Sequence, residues 1–433
     1  MVVIYAVLVL SVLRRLARHL IHPHRGTWAV AASEGVVDGF ESLGPTFVKL
    51  GQLIASSPGV FPVPLADAAL RCLDEVPPFD GAAAAAMVGA DLGRPPAEIF
   101  RRFDETPLSA ASIGQVHACT LPDGREAVIK VQRPNIRARM TTDLRIMHRL
   151  AKTLARHTKL GRNANVVGVI EDLHANTFRE LNPALEAERQ HRFRAGLSAF
   201  GDNAGVTTPE IYWDYCGPHL ICMERMAGVP IDDFATIRAR GVDGELVLRR
   251  VVKAWMEACM IHGTFHGDVH AGNIWVLDDG RASFLDFGIM GELDTDWKNV
   301  LRSLFLTTMI DNDFSRMARA FKQAGAFPED IGTDEEVGLR MQIVFGAMVD
   351  TGISEVSLGE VLKSVVGLMD QYAAGRGTPK ELLLVIKQLL YFERYAKELA
   401  PTWTIARDLY LVRNVFPEAI AARAAELSVT FPD

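Results

Sequence analysis

Two short motifs in the second half of the chain restrict its fold and chemistry more than any other feature. The first is His266-Gly267-Asp268-Val269-His270-Ala271-Gly272-Asn273, and the second is Asp286-Phe287-Gly288. Between them, apolar runs stand on both sides of Asp278-Asp279-Gly280, which predicts two short strands around a turn. A hairpin of this kind would return Asp286 to the neighbourhood of Asn273.

The spacing inside the first motif indicates a chemistry. In a D-x-x-x-x-N loop of the protein-kinase type, the carboxylate lies beside an attacking hydroxyl and the amide oxygen binds Mg²⁺. We therefore predict Asp268 as the catalytic base and count His266 with it among the catalytic residues. Asn273 and Asp286 are the predicted metal ligands. Either motif alone is more often a turn, but the two in this order favour a phosphoryl-transfer site.

Composition narrows the class of protein. The 433 residues are 49% hydrophobic and 23% charged, which is typical of a folded protein with a large core. The net charge of −7 argues against a general nucleic-acid binder, because phosphate-backbone binding needs many cations. Five scattered cysteines without a C-x-x-C pair predict reduced thiols and a cytoplasmic location.

The amino-terminal segment has a composition of its own. Residues 1–13 are apolar apart from Ser11, and four arginines follow, Arg14, Arg15, Arg18 and Arg25. The run is too short to span a bilayer as a helix and lacks the leading positive charge of a signal peptide. One interpretation of residues 1–26 is an anchor on anionic lipid at the inner face of the membrane, and the other is a helix packed on the protein. We expect no membrane-spanning helix.

The order of the remaining elements predicts the architecture. Residues 27–95 read as an Ala-rich helical extension. Residues 96–228 contain strand-like segments that begin near Ile99, and they form a small β lobe with later strands at Ala127–Gln132 and His219–Glu224. Residues 229–433 are mostly helical around the two motifs. We therefore predict an α+β, bilobal protein-kinase-like fold with an amino-terminal helical extension.

This fold requires a nucleotide-binding half upstream of the two motifs. The segment from Ser109 to Val116 stands where a loop would cover the ATP phosphates, and an Ala-Val-Ile-Lys strand ends at Lys130, the predicted phosphate ligand. A lysine that closes an apolar run needs an acidic partner. Our choice is Glu186, one turn into a helix that Asn182 would cap, and Glu188 is the alternative. The predicted ATP-binding residues of this half are Ser109, Ala110, Ala111, Ser112, Val116, Lys130, Glu224 and Met226.

The sequence also contains Lys49-Leu50-Gly51-Gln52 in the helical extension. Together with the loop from Ser109 to Ser112, Lys130, Glu186 and the two motifs, it resembles the UbiB-like atypical kinases, also called the AarF-domain or coenzyme Q8 family. The resemblance covers about residues 30–400, and the Lys-x-Gly-Gln helix and the alanine-bearing loop are specific to that family. It implies that Lys49 and Gln52 face the nucleotide from a helix that covers the peptide site of a protein kinase. It also implies an ATPase or a small-molecule or lipid kinase, linked to quinone biosynthesis and membrane lipids.

Two departures from the family pattern affect these expectations. The loop reads Ser-Ala-Ala-Ser at residues 109–112, where the family usually has three alanines. The usual Glu-x-Asp reads Glu180-Leu181-Asn182, and Pro183 would break a helix that ran through it. A contact from Lys49 is therefore expected at Glu180 alone.

The leading hypothesis is an atypical kinase or ATPase that uses ATP and Mg²⁺ at the cytoplasmic face of a membrane, in an isoprenoid-quinone or lipid pathway. One alternative is a small-molecule phosphotransferase of the aminoglycoside or choline kinase type, a class that lacks the Lys-x-Gly-Gln helix. Another is a nucleotide-gated lipid-binding or scaffold protein. The phosphoryl acceptor and a homodimeric state are left open.

Overall fold

The computed structural model describes residues 2–21, 27–55, 61–73, 77–157, 166–350, 367, 380–403 and 408–432. Packing divides the chain into two compact units. The first comprises Met1–Glu186 and Ile211–Arg225, and the second comprises Ala187–Glu210 and Met226–Asp433. Residue 1 and residues 22–26 of the predicted anchor lie outside the described residues. Element labels below number the described helices and strands in chain order.

The first unit opens with helices. They are α1 (Val2–Ile21), α2 (Trp28–Leu43), α3 (Pro45–Ala55), α4 (Val63–Ala69), α5 (Gly81–Leu92) and α6 (Pro96–Ile99). Side-chain caps fix two of the starts, because the Thr27 hydroxyl accepts from the backbone of α2 and the Asp80 carboxylate accepts from that of α5. Phe40 and Phe47 pack in the buried cluster that joins these helices to later ones.

An antiparallel sheet follows. Its strands, in spatial order, are β1 (Arg102–Ala110), β2 (Gly114–Thr120), β3 (Glu126–Gln132) and β5 (Leu220–Glu224). The predicted strands at Ala127–Gln132 and His219–Glu224 are confirmed, but the prediction of a strand from Ile99 was wrong. Pro96 at a first helical position starts α6 there, and the strand begins only at Arg102. The last helices to begin in this unit are α7 (Ile136–His157), α8 (Val166–Glu180) and α9 (Pro183–Leu197).

The second unit holds two small sheets. One has the order β4 (Val206–Thr207), β9 (Ala282–Phe284), β8 (Ile274–Leu277) and β6 (Gly228–Pro230), and the other pairs β7 (Thr264–His266) with β10 (Met290–Glu292). Strands β8 and β9 pair antiparallel around Asp278-Asp279-Gly280, and Gly280 takes a positive φ of 82°. This is the hairpin that the sequence predicts between the two motifs.

Helices form the rest of the second unit. They are α10 (Phe234–Ala239), α11 (Gly244–Glu257), α12 (Thr295–Leu306), α13 (Phe314–Gln323), α14 (Asp334–Asp350), α15 (Lys380–Leu399) and α16 (Pro417–Leu427). Trp255 on α11 is fully buried and contacts the rings of Phe265 on β7 and Phe392 on α15 edge-on. The core therefore lies directly behind the loop that follows β7. Within the described residues, no helix combines the length and the apolar character needed to cross a membrane.

Candidate active site

The predicted phosphate-covering loop is a tight turn in the first unit. Ser109 and Ala110 belong to β1, and residues 111–113 connect β1 to β2. The backbone N–H of Ala111 donates to the carbonyl of Gly114 over 2.8 Å. A Cβ at Gly114 would lie 2.5 Å from the Val131 carbonyl oxygen, so that only glycine allows this approach of β2 to β3. Ser112, which belongs to this turn, is buried.

Lys130 lies on β3, opposite Val116 on β2, and it contacts the acid that the sequence predicts. Its Nζ donates to Oε1 of Glu186 over 2.6 Å, and the Glu186 side chain is 6% exposed. Asn182 caps the helix as predicted, because its Oδ1 accepts from the backbone N–H of Leu185 over 3.2 Å.

The alternative partner, Glu188, instead forms a hydrogen bond with Arg192 one turn further along α9, over 2.6 Å. Its side chain is 43% exposed. The Lys130–Glu186 contact is thus present in the structure, and its role toward phosphate stays a prediction.

The Lys-x-Gly-Gln residues lie on α3 in the same unit. Lys49 donates to the Glu180 carboxylate at the end of α8, which is the contact expected from the sequence. The helix stops there and α9 begins at Pro183, so Asn182 caps a new helix instead of extending α8. Gln52 donates to the carbonyl of Cys72 over 2.9 Å, which gives it a partner within the unit. The contact of Gln52 with nucleotide stays a prediction.

The two remaining nucleotide residues lie where the sheet ends. Glu224 closes β5 opposite Ala127 of β3, and Met226 is the first residue of the second unit after the break at Arg225. Both are partly buried. Their contact with nucleotide is likewise a prediction.

Asp268 has the environment of a positioned carboxylate in the second unit. Its Oδ1 accepts from Nζ of Lys387 over 3.0 Å, and its Oδ2 lies 3.7 Å from Nε2 of His270. The side-chain amide of Asn273 donates to the backbone carbonyl of Asp268 over 2.9 Å. The carboxylate is 21% exposed, so a hydroxyl or water can reach it.

His266 connects the two motifs through both ring nitrogens. Its Nδ1 accepts from the backbone N–H of Asp268 over 3.2 Å, and its Nε2 lies 2.9 Å from the carbonyl of Leu285, to which it donates. Burial of the ring lowers the pKa of His266, which favours the neutral form that this pattern requires. His266 therefore links the backbone of Asp268 to the residue before the second motif, and its assignment as a catalytic residue stays a prediction.

The hairpin brings the predicted metal ligands to one end of its ladder. Ile274 pairs with Phe284, and the backbone N–H of Leu285 donates to the carbonyl of Asn273 over 2.8 Å. Asp286 follows at once with a positive φ of 55°, a conformation that Asp adopts more readily than most residues. Its Oδ1 accepts from the N–H of Gly288 over 3.1 Å.

This donor set fits a magnesium ion that is bound together with a nucleotide. Asn273 donates its side-chain N–H to the backbone carbonyl of Asp268, so its amide oxygen is the atom that would bind the metal, and Asp286 would add a carboxylate. Mg²⁺ in nucleotide sites is held by one or two protein oxygens, with phosphate and water oxygens as the rest. Among the described ranges, no group of three or more His, Cys, Asp or Glu side chains forms a protein-only metal site.

Sequence reasoning missed the residues of α15 and α9 that contact the two motifs. On α15, the Oε1 of Gln388 accepts from the N–H of Val269 over 2.8 Å, and the hydroxyl of Tyr395 donates to the Val269 carbonyl over 3.0 Å. Lys387, next to Gln388, contacts Asp268. On α9, Arg189 donates to the carbonyl of Gly288 over 2.9 Å. The polar pair Lys387-Gln388, with apolar residues on both sides of it in α15, was the one weak signal.

The chain is similar to known proteins over most of its length. The model of the ABC1 atypical kinase-like domain matches residues 71–321. The chain is 33% identical to a probable protein kinase UbiB of Aeromonas salmonicida, over 88% of this chain and 70% of that protein. It is 30% identical to an uncharacterised chloroplastic aarF domain-containing protein kinase of Arabidopsis thaliana, over 85% of this chain and 72% of the relative.

Solved structures include one of similar fold. It is a complex of a Mycobacterium tuberculosis protein with erythromycin, and it superposes with a TM-score of 0.55 at 24% sequence identity. The match covers 81% of this chain and 86% of that chain, and at this identity it supports the kinase-like fold alone. The predicted fold class and family resemblance are confirmed, and the chain belongs to the ABC1 atypical kinase-like family, which includes the UbiB and AarF-domain proteins.

Proposed function

We propose that this protein is an atypical kinase or ATPase that uses ATP and Mg²⁺ at an anionic membrane surface, in isoprenoid-quinone or lipid metabolism. The observation that carries the proposal is the environment of Asp268. Its carboxylate is partly exposed, its two carboxylate oxygens lie near Lys387 and His270, and its backbone carbonyl accepts from Asn273. Such an arrangement suits a base that must be aimed at a hydroxyl or a water molecule.

The chemistry follows from placement and charge. Asp268 orients the attacking oxygen and accepts its proton, while Lys130, held by Glu186, offers a point charge to the phosphates. Asn273 and Asp286 would hold Mg²⁺, which supplies charge neutralisation at the phosphate oxygens when it is bound with ATP. Phosphoryl transfer needs little covalent help from the protein, so these contacts supply most of the catalysis.

The exposed face of α1 supports the membrane part of the proposal. One side of the helix is buried against α2, where Arg15 forms a bidentate pair with Asp38. The opposite side presents large apolar side chains to solvent, Val3, Tyr5, Val9, Leu10, Leu13, Leu20 and Ile21. Arg14 and Arg18 are exposed beside them. An apolar face with a basic flank favours an anionic lipid surface over another protein.

The test is Mg²⁺-dependent ATP hydrolysis by the full chain and by Asp286→Asn, each with neutral vesicles and with vesicles that contain phosphatidylglycerol. Asp279→Asn, in the exposed turn of the same hairpin, is the matched control for the loss of a carboxylate. We expect turnover in the wild type and in Asp279→Asn, stimulation by the anionic vesicles, and a loss of turnover in Asp286→Asn.

A variant of α1 separates the two parts of the proposal. Leu13→Glu places a charge in the exposed apolar face without touching the Arg15 pair, so it should abolish vesicle stimulation and leave basal turnover intact. Unchanged hydrolysis in Asp286→Asn would contradict the site assignment. ATP binding without hydrolysis by the wild type, with either vesicle, would favour the nucleotide-gated scaffold instead.

A further inference from the structure

Lys387 reaches the catalytic loop from a helix that lies 119 positions away in sequence. Its Nζ is 3.0 Å from Oδ1 of Asp268. The position of its backbone is fixed, because Gln388, the next residue of α15, is fully buried and accepts from the N–H of Val269. Tyr395, two turns further on, donates to the carbonyl of the same Val269. Lys387 is therefore aimed at Asp268 by a helix that is itself fastened to the loop.

A purely structural role does not account for this contact. Gln388 and Tyr395 already fasten α15 to the loop through the backbone of Val269. The Lys387 and Asp268 side chains are 35% and 21% exposed, and ion pairs with this much solvent contribute little to stability. The exposure instead leaves the ammonium open to a ligand, and an ammonium has three N–H donors, of which the contact with Asp268 uses one.

The reaction needs a cation at this place. A transferring phosphoryl group carries negative charge on its three equatorial oxygens, and Asp268 alone beside it would repel that charge. Lys387 supplies a compensating charge next to the carboxylate, and the neighbouring His270 side chain lies 3.7 Å from the other carboxylate oxygen.

We propose that Lys387 is a further residue of the phosphoryl-transfer site, which positions Asp268 and binds the oxygens of the transferring phosphoryl group; this rests on the proposed function. As the attacking oxygen bonds to the γ-phosphorus, its proton passes to Asp268. The bond to the ADP oxygen breaks and its electron pair leaves with ADP. Lys387 keeps its protons throughout and lowers the energy of the charge that builds up on phosphorus oxygens.

The test compares Lys387→Met and Lys387→Arg with Lys397→Met, a matched control on the same helix. Lys397 pairs with Glu393 over 2.9 Å and its side chain is 58% exposed, so its loss should change no kinetic constant. Five quantities are measured for each protein: kcat and KM for Mg·ATP, the Kd of Mg·ADP, the Kd of Mg·ADP with aluminium fluoride, which is a planar mimic of the transferring group, and the unfolding temperature.

Lys387→Met should lower kcat and weaken the fluoride complex by a similar factor, on the order of 10²-fold, with the KM for ATP, the Kd of Mg·ADP and the unfolding temperature preserved. Lys387→Arg should restore part of both losses. A Lys387→Met protein with wild-type kcat and fluoride binding would overturn the inference and leave the proposed function standing. Equal losses of Mg·ADP affinity and thermal stability would also overturn it, in favour of a structural role. A wild type that neither hydrolyses ATP nor binds the fluoride complex would overturn both.

Discussion

Each unit of the molecule contains a lysine paired with a carboxylate, and the two pairs differ in how deeply the carboxylate is buried. In the first unit the Glu186 side chain is 6% exposed and Lys130 is 26% exposed, so that the acid serves to hold the lysine. In the second unit Asp268 is 21% exposed and Lys387 is 35% exposed, so that the acid is again the more buried partner but stays open to solvent, and it is the proposed reacting group. Ion pairs of the same chemical kind thus suit two different tasks.

A third lysine shows what an entirely structural pair looks like. Lys253 on α11 is fully buried, and its Nζ lies 2.6 Å from Glu257 and 3.1 Å from Asp202. It also donates to Asn203 over 2.8 Å. With no solvent exposure, this ammonium cannot meet a ligand. The two pairs with a proposed function therefore differ from the Lys253 pair mainly in the solvent exposure of the lysine, and less in the distance between the partners.

The largest effect is expected from Asp268→Asn. The amide keeps the size of the side chain and loses the base, so kcat should fall by about 10²–10⁴-fold while Mg·ATP affinity is retained. Steady-state kinetics and equilibrium nucleotide binding check this, with Asp279→Asn as the control. Equal rates in Asp268→Asn and the control would contradict the difference between the two pairs, because Asp268 would then not be the reacting partner.

Lys253→Met should act on stability instead of turnover. Removal of the ammonium leaves Glu257 and Asp202 without their buried cation, at a cost of about 3–5 kcal/mol in the free energy of unfolding. Denaturant unfolding measures this, and Arg281→Met, in a pair whose side chains are 42% and 51% exposed, should cost less than about 1 kcal/mol. If Lys253→Met instead kept wild-type stability and lost turnover, the distinction drawn from exposure would fail.

Glu186→Gln should have a smaller effect on nucleotide binding. The glutamine keeps an acceptor for Lys130 but loses the charge, and a hydrogen bond to a charged group is worth about 1.5–3 kcal/mol, so the KM for ATP should rise by about tenfold. Glu188→Gln, two positions away and exposed, is the matched control. A larger rise in KM for Glu188→Gln than for Glu186→Gln would reverse the assignment.

The smallest effect is expected at Asp38 in the first unit, where an acid has an arginine partner far from the proposed chemistry. The hydrogen bond from Arg15 holds the pKa of Asp38 below its ordinary 3.8. A lowered folded-state pKa gives stability that is present above pH 3.8 and lost as the pH falls through the folded value. The difference in unfolding free energy between wild type and Asp38→Asn should therefore shrink in acid. A constant difference from pH 7 to pH 3 would contradict this.

The sequence predicted local geometry better than distant contacts. The hairpin before Asp286 was predicted from its turn residues, which are neighbours in the chain. The Lys130–Glu186 contact was predicted from the cap at Asn182 and from the order of strands and helices in a kinase-like fold. Lys387 and Arg189 could not be found in the same way. Their partners lie 119 and 99 positions away, and nothing in a helical pattern specifies which distant loop a polar side chain will meet.

One prediction about the fold was wrong. A strand was expected from Ile99, where Pro96 instead begins a short helix. His266 was counted among the catalytic residues because it opens a motif, and that assignment stays a prediction. Its burial and its contact with the Leu285 carbonyl, 19 positions away, depend on packing, which the motif does not specify.

The proposed function depends most on metal binding by Asn273 and Asp286 in the presence of a nucleotide. The most direct measurement is electron paramagnetic resonance of Mn²⁺, as a substitute for Mg²⁺, titrated with ATP into wild type, Asp286→Asn and Asp279→Asn. We expect ATP to immobilise Mn²⁺ on wild type and on Asp279→Asn, and Asp286→Asn to weaken this binding by about tenfold or more. Equal Mn²⁺ binding by wild type and Asp286→Asn would contradict it.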